Sequence, residues 1–340
     1  MTEKVITPHL TTALKGPLQL LEKHILTNQT KIETWFRNMW HKFPPPVYGS
    51  VDLRNAGFKL APVDMNLFPA GFNNLNPDFL PLCIQAVQQT IEKCDKGATK
   101  ILLVSENHTR NTFYLENLAT LHNIILKAGF EVRIGSLALD LHEPRVIELP
   151  SKQLITIEPI KRHKNRIILS DFDPCMIWLN NDLSGAFPSL LKDIEQPFYP
   201  PAQLGWYNRL KSNHFACYER ITDTFSKLID IDPWLITPLF NQCSNIDFQN
   251  REGNICLIRN AEKLFYQIEN KYKSYDIDQK PFIIVKADSG SYGMGIMTIQ
   301  DPAELMELNR KQRTKMATTK GRQPVHQVIL QEGIYTFETF

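Results

Sequence analysis

Residues 281–299, PFIIVKADSGSYGMGIMTI, constrain this chain more than any other stretch. Two short apolar runs, 282–285 and 296–299, flank a turn that holds Gly290, Gly293 and Gly295. Both runs are rich in β-branched residues and predict strands. The glycines let the backbone take positive φ and approach a ligand closely. Lys286 stands where the first strand ends. Successive N–H groups in such a turn cradle phosphate oxygens, and a lysine beside them adds a charge-assisted donor. The spacing differs from the G-x-x-x-x-G-K-[ST] loop, because the lysine precedes the glycines, and the strand–turn–helix context of a dinucleotide fingerprint is missing. On these residues alone, a tight hairpin that needs glycine for its turn stands level with a phosphate cover.

A second stretch, residues 50–75, reads SVDLRNAGFKLAPVDMNLFPAGFNNL. It sets Asp52, Arg54, Lys59, Asp64, Asn66, Asn73 and Asn74 between glycines and prolines. Ordering such a segment costs entropy and needs hydrogen bonds to hold it. One reading is an Ω-like loop with its polar groups satisfied internally. The other is a pocket wall for a zwitterion, with Arg54 and Lys59 on carboxylates and Asp52 or Asp64 on an ammonium. Arginine suits that role because its fork meets both carboxylate oxygens. The residues leave both readings open.

Taken together, residues 50–75 and 286–295 resemble the proteobacterial glutamate–cysteine ligase family of the ATP-grasp superfamily, and the resemblance extends over nearly the whole chain. It implies ATP-dependent joining of the glutamate γ-carboxylate to the cysteine amine through an acyl phosphate, the first step of glutathione biosynthesis, with ATP and Mg²⁺. By the same resemblance, Lys286, Ser289, Gly290, Ser291, Tyr292, Gly293 and Gly295 serve the ATP phosphates. Lys263 is a candidate for the superfamily's earlier ATP-contacting lysine, set against a plain surface lysine on a helix. Gln331, Glu332 and Gly333 match the adenine hinge, with Glu332 near the ribose or the amino group. Lys286, Arg54, Lys59 and Arg110 are the expected catalytic set. Asp52, Arg54, Asp64, Asn66, Asn73, Asn74, Glu106, Asn180 and Asn181 are the expected substrate contacts. The superfamily carries its magnesium ligands on later strands. No counterpart is found here, so no residue is assigned to metal and the C-terminal part reads as incomplete. Two alternatives stand beside this reading: a different ATP-grasp carboxylate–amine ligase resembling glutathione synthetase, and a nucleotide-binding module without chemistry.

The remaining pattern supports an α/β fold. Residues 11–43 read as helix, with Leu14, Leu18, Leu21 and Ile25 on one stripe and Ile32, Trp35, Phe36 and Met39 on another, stopped by Pro44, Pro45 and Pro46. Helix 77–94, strand 101–104, a helix to about residue 127 and strand 131–134 form a β-α-β unit, hence a parallel sheet with flanking helices. Ligands of open α/β sheets gather at strand C-terminal ends. Glu106, His108, Thr109, Arg110 and Asn111 fall on that edge, although Glu106 and Arg110 could equally pair with each other. Asn180, Asn181 and Asp182 follow strand 176–179. Helices over 211–228 and 259–272, a polar, basic and glycine-bearing stretch over 309–326 and a strand from 327 complete the chain. The expected architecture is an ATP-grasp-like ligase, with an N-terminal parallel-sheet substrate region over 1–235 and a nucleotide-binding region over 236–340.

A formal net charge of +2 gives no strong steering toward nucleic acid. No run of 18 apolar residues and no signal-like start occurs, so the expected location is the cytoplasm and no membrane partner is expected. Cys83, Cys94, Cys175, Cys217, Cys243 and Cys256 lack C-x-x-C or zinc-type spacing and read as free thiols in a reducing compartment. The expected partners are glutamate and cysteine; a homo-oligomer is left open.

Overall fold

The structure is a computed structural model that describes residues 17–107, 111–184, 186–289, 295–318 and 324–336. In chain order the elements are α1 (Pro17–Thr27), α2 (Gln29–Lys42), β1 (Ser50–Asn55), β2 (Leu60–Asn66), α3 (Leu80–Cys94), β3 (Lys100–Ser105), α4 (Thr112–Lys127), β4 (Glu131–Ser136), β5 (Arg145–Glu148), β6 (Leu154–Pro159), β7 (Lys161–His163), β8 (Arg166–Ile168), β9 (Met176–Leu179), β10 (Phe198–Tyr199), α5 (Lys211–Ile229), β11 (Phe240–Ser244), α6 (Asn254–Ser274), β12 (Ile283–Ala287), β13 (Ile296–Ile299), α7 (Arg310–Ala317) and β14 (Gln327–Glu332). They fall into two compact units. The first is Met1–Pro44, Val51–Met65 and Trp206–Phe340; the second is Pro45–Ser50 and Asn66–Gly205. Neither unit is one continuous run, so compactness does not follow the linear division at 235/236. Residues 51–65 of the long polar motif join the first unit with the glycine hairpin.

The second unit is built on a six-stranded sheet in the order β10-β9-β3-β4-β6-β5. All neighbouring pairs are parallel except β5 with β6 at the edge. The expected β-α-β unit is present, with Ile101 level with Val132 across β3 and β4. Strand alternation sorts the core. Ile101 and Leu103 face one way, into a cluster with Leu118, Leu121 and Ile125 of α4. Leu102 and Val104 face the other way, toward Phe68, Phe172 and Leu191. With both faces covered, β3 reads as an unbroken apolar run.

The first unit holds a four-stranded antiparallel sheet in the order β11-β14-β12-β13. Leu257, Ala261, Leu264 and Ile268 of α6 recur at helical spacing and share a core with Ile283, Val285, Val328 and Leu330 of the sheet. The helix expected over 11–43 is divided at Asn28, whose side-chain amide donates to the His24 carbonyl at 2.9 Å. The polar stretch over 309–326 contains α7, whose start Asn309 and Gln312 secure by capping each other's backbone N–H groups reciprocally. Among the described residues no helix is long and apolar enough to cross a membrane.

Candidate active site

The site of interest in the first unit begins on β12. Lys286 is buried, and its ammonium donates to the Val63 carbonyl at 2.7 Å and to Gln331 Oε1 at 2.6 Å. Both acceptors are neutral. Among the described residues no carboxylate lies within ion-pair distance of it. Burial therefore pushes its pKa down to about 8, with Asp64 opposing the shift and Lys211 adding to it. Gln331, from the neighbouring strand β14, is equally buried, and its Nε2 has no hydrogen-bond partner among the described residues. An ammonium and an unspent amide donor thus sit side by side. Buried donors are normally satisfied, so this pair is poised for an acceptor oxygen.

Ala287 and Gly295, on either side of the glycine-bearing segment, meet directly. Ala287 N–H donates to the Gly295 carbonyl at 2.9 Å, and Gly295 has φ +63°. A Cβ there would meet Ala287 Cβ at 3.2 Å, so glycine suits both the backbone and the close approach. Ser289 is exposed. Gly290, Ser291, Tyr292 and Gly293 lie outside the described residues. At the base, buried Asp288 caps α5, which has no side-chain cap of its own. Its carbonyl accepts from Lys211 N–H at 2.8 Å. Its carboxylate accepts from Ser212 N–H at 2.7 Å, from Ser212 Oγ at 2.6 Å and from Gln242 Nε2 at 3.0 Å. Sequence reasoning missed Asp288. The available signal was a helix opening on Leu210-Lys211, with no capping residue and a cation at its positive end.

Lys59 and Glu332, expected on a substrate carboxylate and near the ribose, are instead bonded to one another. Lys59 Nζ lies 2.6 Å from Glu332 Oε2 and 4.2 Å from the centre of the Trp234 ring, and it has no exposed surface. Glu332 also accepts from Trp234 Nε1 at 3.1 Å and from Leu239 N–H at 2.9 Å. A buried ion pair holds only when its remaining groups are satisfied in this way. Two backbone N–H groups of the expected adenine hinge are also committed: Glu332 donates to Leu239 and Gly333 to Phe282, each at 2.8 Å. A Cβ on Gly333 would lie 2.1 Å from the Phe282 ring, which accounts for glycine there by packing. Lys263 lies on the exposed face of α6. Asp52 and Arg54 are exposed on β1, where Arg54 Nη1 donates to Thr336 Oγ1 at 2.9 Å. Asp64, half-buried, accepts from Lys211 Nζ at 2.8 and 3.1 Å. Lys211 is a further residue the sequence reading left unassigned.

In the second unit the structure brings Glu106, Asn180 and Asn181 together at the C-terminal ends of β3 and β9. Glu106 Oε1 accepts from Asp182 N–H at 2.8 Å, and its own N–H donates to Tyr114 Oη at 2.8 Å. Asn181 Nδ2 donates to the Ser105 carbonyl at 3.0 Å. Asn180 Nδ2 donates to the Pro69 carbonyl at 3.0 Å, and its Oδ1 accepts from Asn117 Nδ2 at 3.1 Å. Asn117 Oδ1 in turn accepts from Gly71 and Phe72 N–H at 2.8 and 3.0 Å. These amides hold the 66–76 loop onto the strand ends. Asn66 turns onto the same loop, accepting from Phe68 N–H at 2.8 Å, while Asn73 and Asn74 are exposed. Arg110, expected beside Glu106, lies outside the described residues with His108 and Thr109. Asn117 and Tyr114 were missed because α4 reads as an apolar helix. A buried asparagine among its leucines was the signal.

A metal is a separate question. Among the described residues no three His, Cys, Asp or Glu side chains converge as a cation would require. These residues do not fit a magnesium site of their own.

The protein-family profile described as "GshA: Glutamate-cysteine ligase" matches residues 22–340. A solved structure from Methylobacillus flagellatus KT, described as a "Putative gamma-glutamylcysteine synthetase", shares 54% identity at a TM-score of 0.90 and covers 98% of this chain and 78% of that one. D-alanyl-alanine synthetase A from Vibrio cholerae O1 biovar eltor aligns at 10% identity with a TM-score of 0.34, which carries no argument. No curated protein matches. With a family match over nearly the whole length and a relative more than half identical, the chain belongs to the glutamate–cysteine ligase family, of ATP-grasp type.

Proposed function

We propose that Lys286 and the Gln331 side-chain amide are the fixed donors for the ATP phosphates in the family's reaction, the ATP-dependent ligation of glutamate to cysteine that opens glutathione biosynthesis. A glutamate γ-carboxylate oxygen attacks the γ-phosphorus, ADP leaves, and an acyl phosphate forms. The cysteine nitrogen then attacks the acyl carbon, giving up a proton, and inorganic phosphate departs. Two anions must be held close together in the first step, and this requires fixed positive charge and N–H donors. The observation that carries the assignment is the Lys286 environment: among the described residues, a buried ammonium with only neutral acceptors, beside an amide donor with no hydrogen-bond partner. Ser289 and Gly295 flank the glycine-bearing segment that this reading assigns to the phosphates. Arg54, exposed on β1, is available to a substrate carboxylate. Glu106, Asn180 and Asn181 set the loop that lines the sheet edge, an indirect part in substrate binding. Lys59 and Glu332 tie the β1–β2 connection to β14 and take no direct part. Magnesium accompanies ATP in such transfers, and none of these roles depends on where it binds.

The test is Lys286→Met in steady-state ADP release. The expected result is a rise in the ATP KM and a fall in kcat at unchanged thermal stability. Kinetics equal to those of the unmodified enzyme would remove Lys286 from the site.

A further inference from the structure

Two cations and a histidine that the reaction does not yet use gather at the start of α5. Arg209 and Lys211 both rest on the Trp206 ring, with the Arg209 guanidinium carbon 4.8 Å and Lys211 Nζ 4.2 Å from its centre. Trp206 is buried, so this floor is rigid. His214, one turn into α5, is the third basic group. Burial and the nearby Arg209 and Lys211 push it down to about 4, so it adds no charge at neutral pH. Lys211 has one acidic partner, Asp64. Arg209 is half-buried, and no hydrogen bond or ion pair to it exists among the described residues. Burial pulls its pKa down, and Asp64 opposes the shift. Holding an unpaired guanidinium beside a buried ammonium costs free energy that packing does not return. Such clusters mark sites where an anion completes the charge balance.

The charges identify the anion. Arg209, Lys211 and Asp64 are two cations and one carboxylate. An acidic amino acid is the inverse, two carboxylates and one ammonium. Lys211 already binds a carboxylate, that of Asp64, at 2.8 and 3.1 Å. A little over a third of the Asp64 side chain stays exposed, enough to accept from a second cation. Arginine's planar fork matches a carboxylate in a way that a phosphate cluster served by lysines does not need.

We propose that Arg209 and Lys211, on the Trp206 floor, bind the α-carboxylate of the glutamate substrate, that Asp64 receives its ammonium, and that the γ-carboxylate is thereby directed toward Lys286. This rests on the assignment of Lys286 to the ATP phosphates, which the Lys286→Met kinetics test separately through the ATP KM.

The experiment compares glutamate with two analogues as competitive ligands, at saturating ATP and cysteine. One is 4-aminobutyrate, which lacks the α-carboxylate; the other is glutarate, which lacks the ammonium. Arg209→Gln is expected to weaken glutamate by roughly 10- to 100-fold, the worth of one charge-assisted contact, while 4-aminobutyrate binds as before. Asp64→Asn is expected to erase the preference for glutamate over glutarate instead. ATP and cysteine KM values stay where they were in both variants. A structural defect would weaken all ligands together and leave the preferences intact, and that result overturns the proposal. A rise confined to the ATP KM also overturns it, because it makes the seat a phosphate site. Should Arg209→Gln fail to fold, Arg209→Lys keeps the charge, loses the fork and is read by the same preference.

Discussion

Lys59 and Lys286 are two buried lysines in one compact unit, and burial pushes both down to about 8. Their partners differ. Lys59 faces a carboxylate that has two further donors of its own, from Trp234 and Leu239. Lys286 faces a carbonyl and an amide oxygen. The first ammonium is neutralised where it stands, so it serves the fold. The second keeps its charge uncompensated, which is costly unless a ligand arrives. A lysine's burial alone therefore says little about function. The charge of what it touches decides.

The contrast is broken most severely by removing Lys59. Lys59→Met leaves Glu332 buried with an unpaired charge, and the expected loss is about 3–5 kcal/mol of stability, read by denaturant unfolding. Lys59→Met combined with Glu332→Gln removes both charges and should recover part of that loss. A single variant within experimental error of the parent would mean that the pair is not structural. Lys286→Met should show the opposite balance. Its loss of a preorganised cation costs about 10²- to 10³-fold in kcat/KM for ATP, while unfolding hardly changes, because the neutral acceptors Val63 and Gln331 lose no counter-charge. Gln331→Leu sharpens the same point at smaller scale. Removing the unspent amide donor is expected to raise the ATP KM by about tenfold. If it instead leaves ATP untouched, the orphaned Nε2 is a packing accident.

Much of this was legible in the sequence, and the exceptions share a cause. The β-α-β unit, the strand-end position of Lys286 and the hairpin strands follow from short-range patterns that backbone sterics and burial enforce. Gly295 was readable because its positive φ is a local requirement. What sequence could not show was which polar residues would be spent on each other. Lys59 and Glu332 are 273 positions apart, and nothing near either one announces the pair. The polar motif over 50–75 reads as either a self-satisfied loop or a pocket wall, yet it contributes Lys59 to a buried pair, Asp64 to Lys211 and Asn66 to its own loop. Asp288 and Lys211 escaped for the same reason. Their roles exist only once β12 ends beside the start of α5.

The last distinction is drawn by pH. The ordinary lysine value is 10.5, and the folded value of Lys286 is about 8. Between these values the unfolded chain holds the proton and the folded chain does not. For this residue, folding stability therefore rises with pH across that window. Ligand binding runs the other way, because the phosphates need the protonated form. ATP affinity should fall as pH rises through about 8, by about tenfold one unit higher, where roughly a tenth of the ammonium remains. Bound ATP raises the pKa again, so the fall belongs to the free enzyme and appears in kcat/KM rather than in kcat. Lys59 has a similar value, and its deprotonation leaves Glu332 without its cation partner. The two residues are separated by carrying the profile into Lys286→Met. A slope that flattens in that variant belongs to the phosphate lysine. A slope that persists belongs to the structural pair, and would transfer the pH sensitivity of this enzyme from its chemistry to its fold.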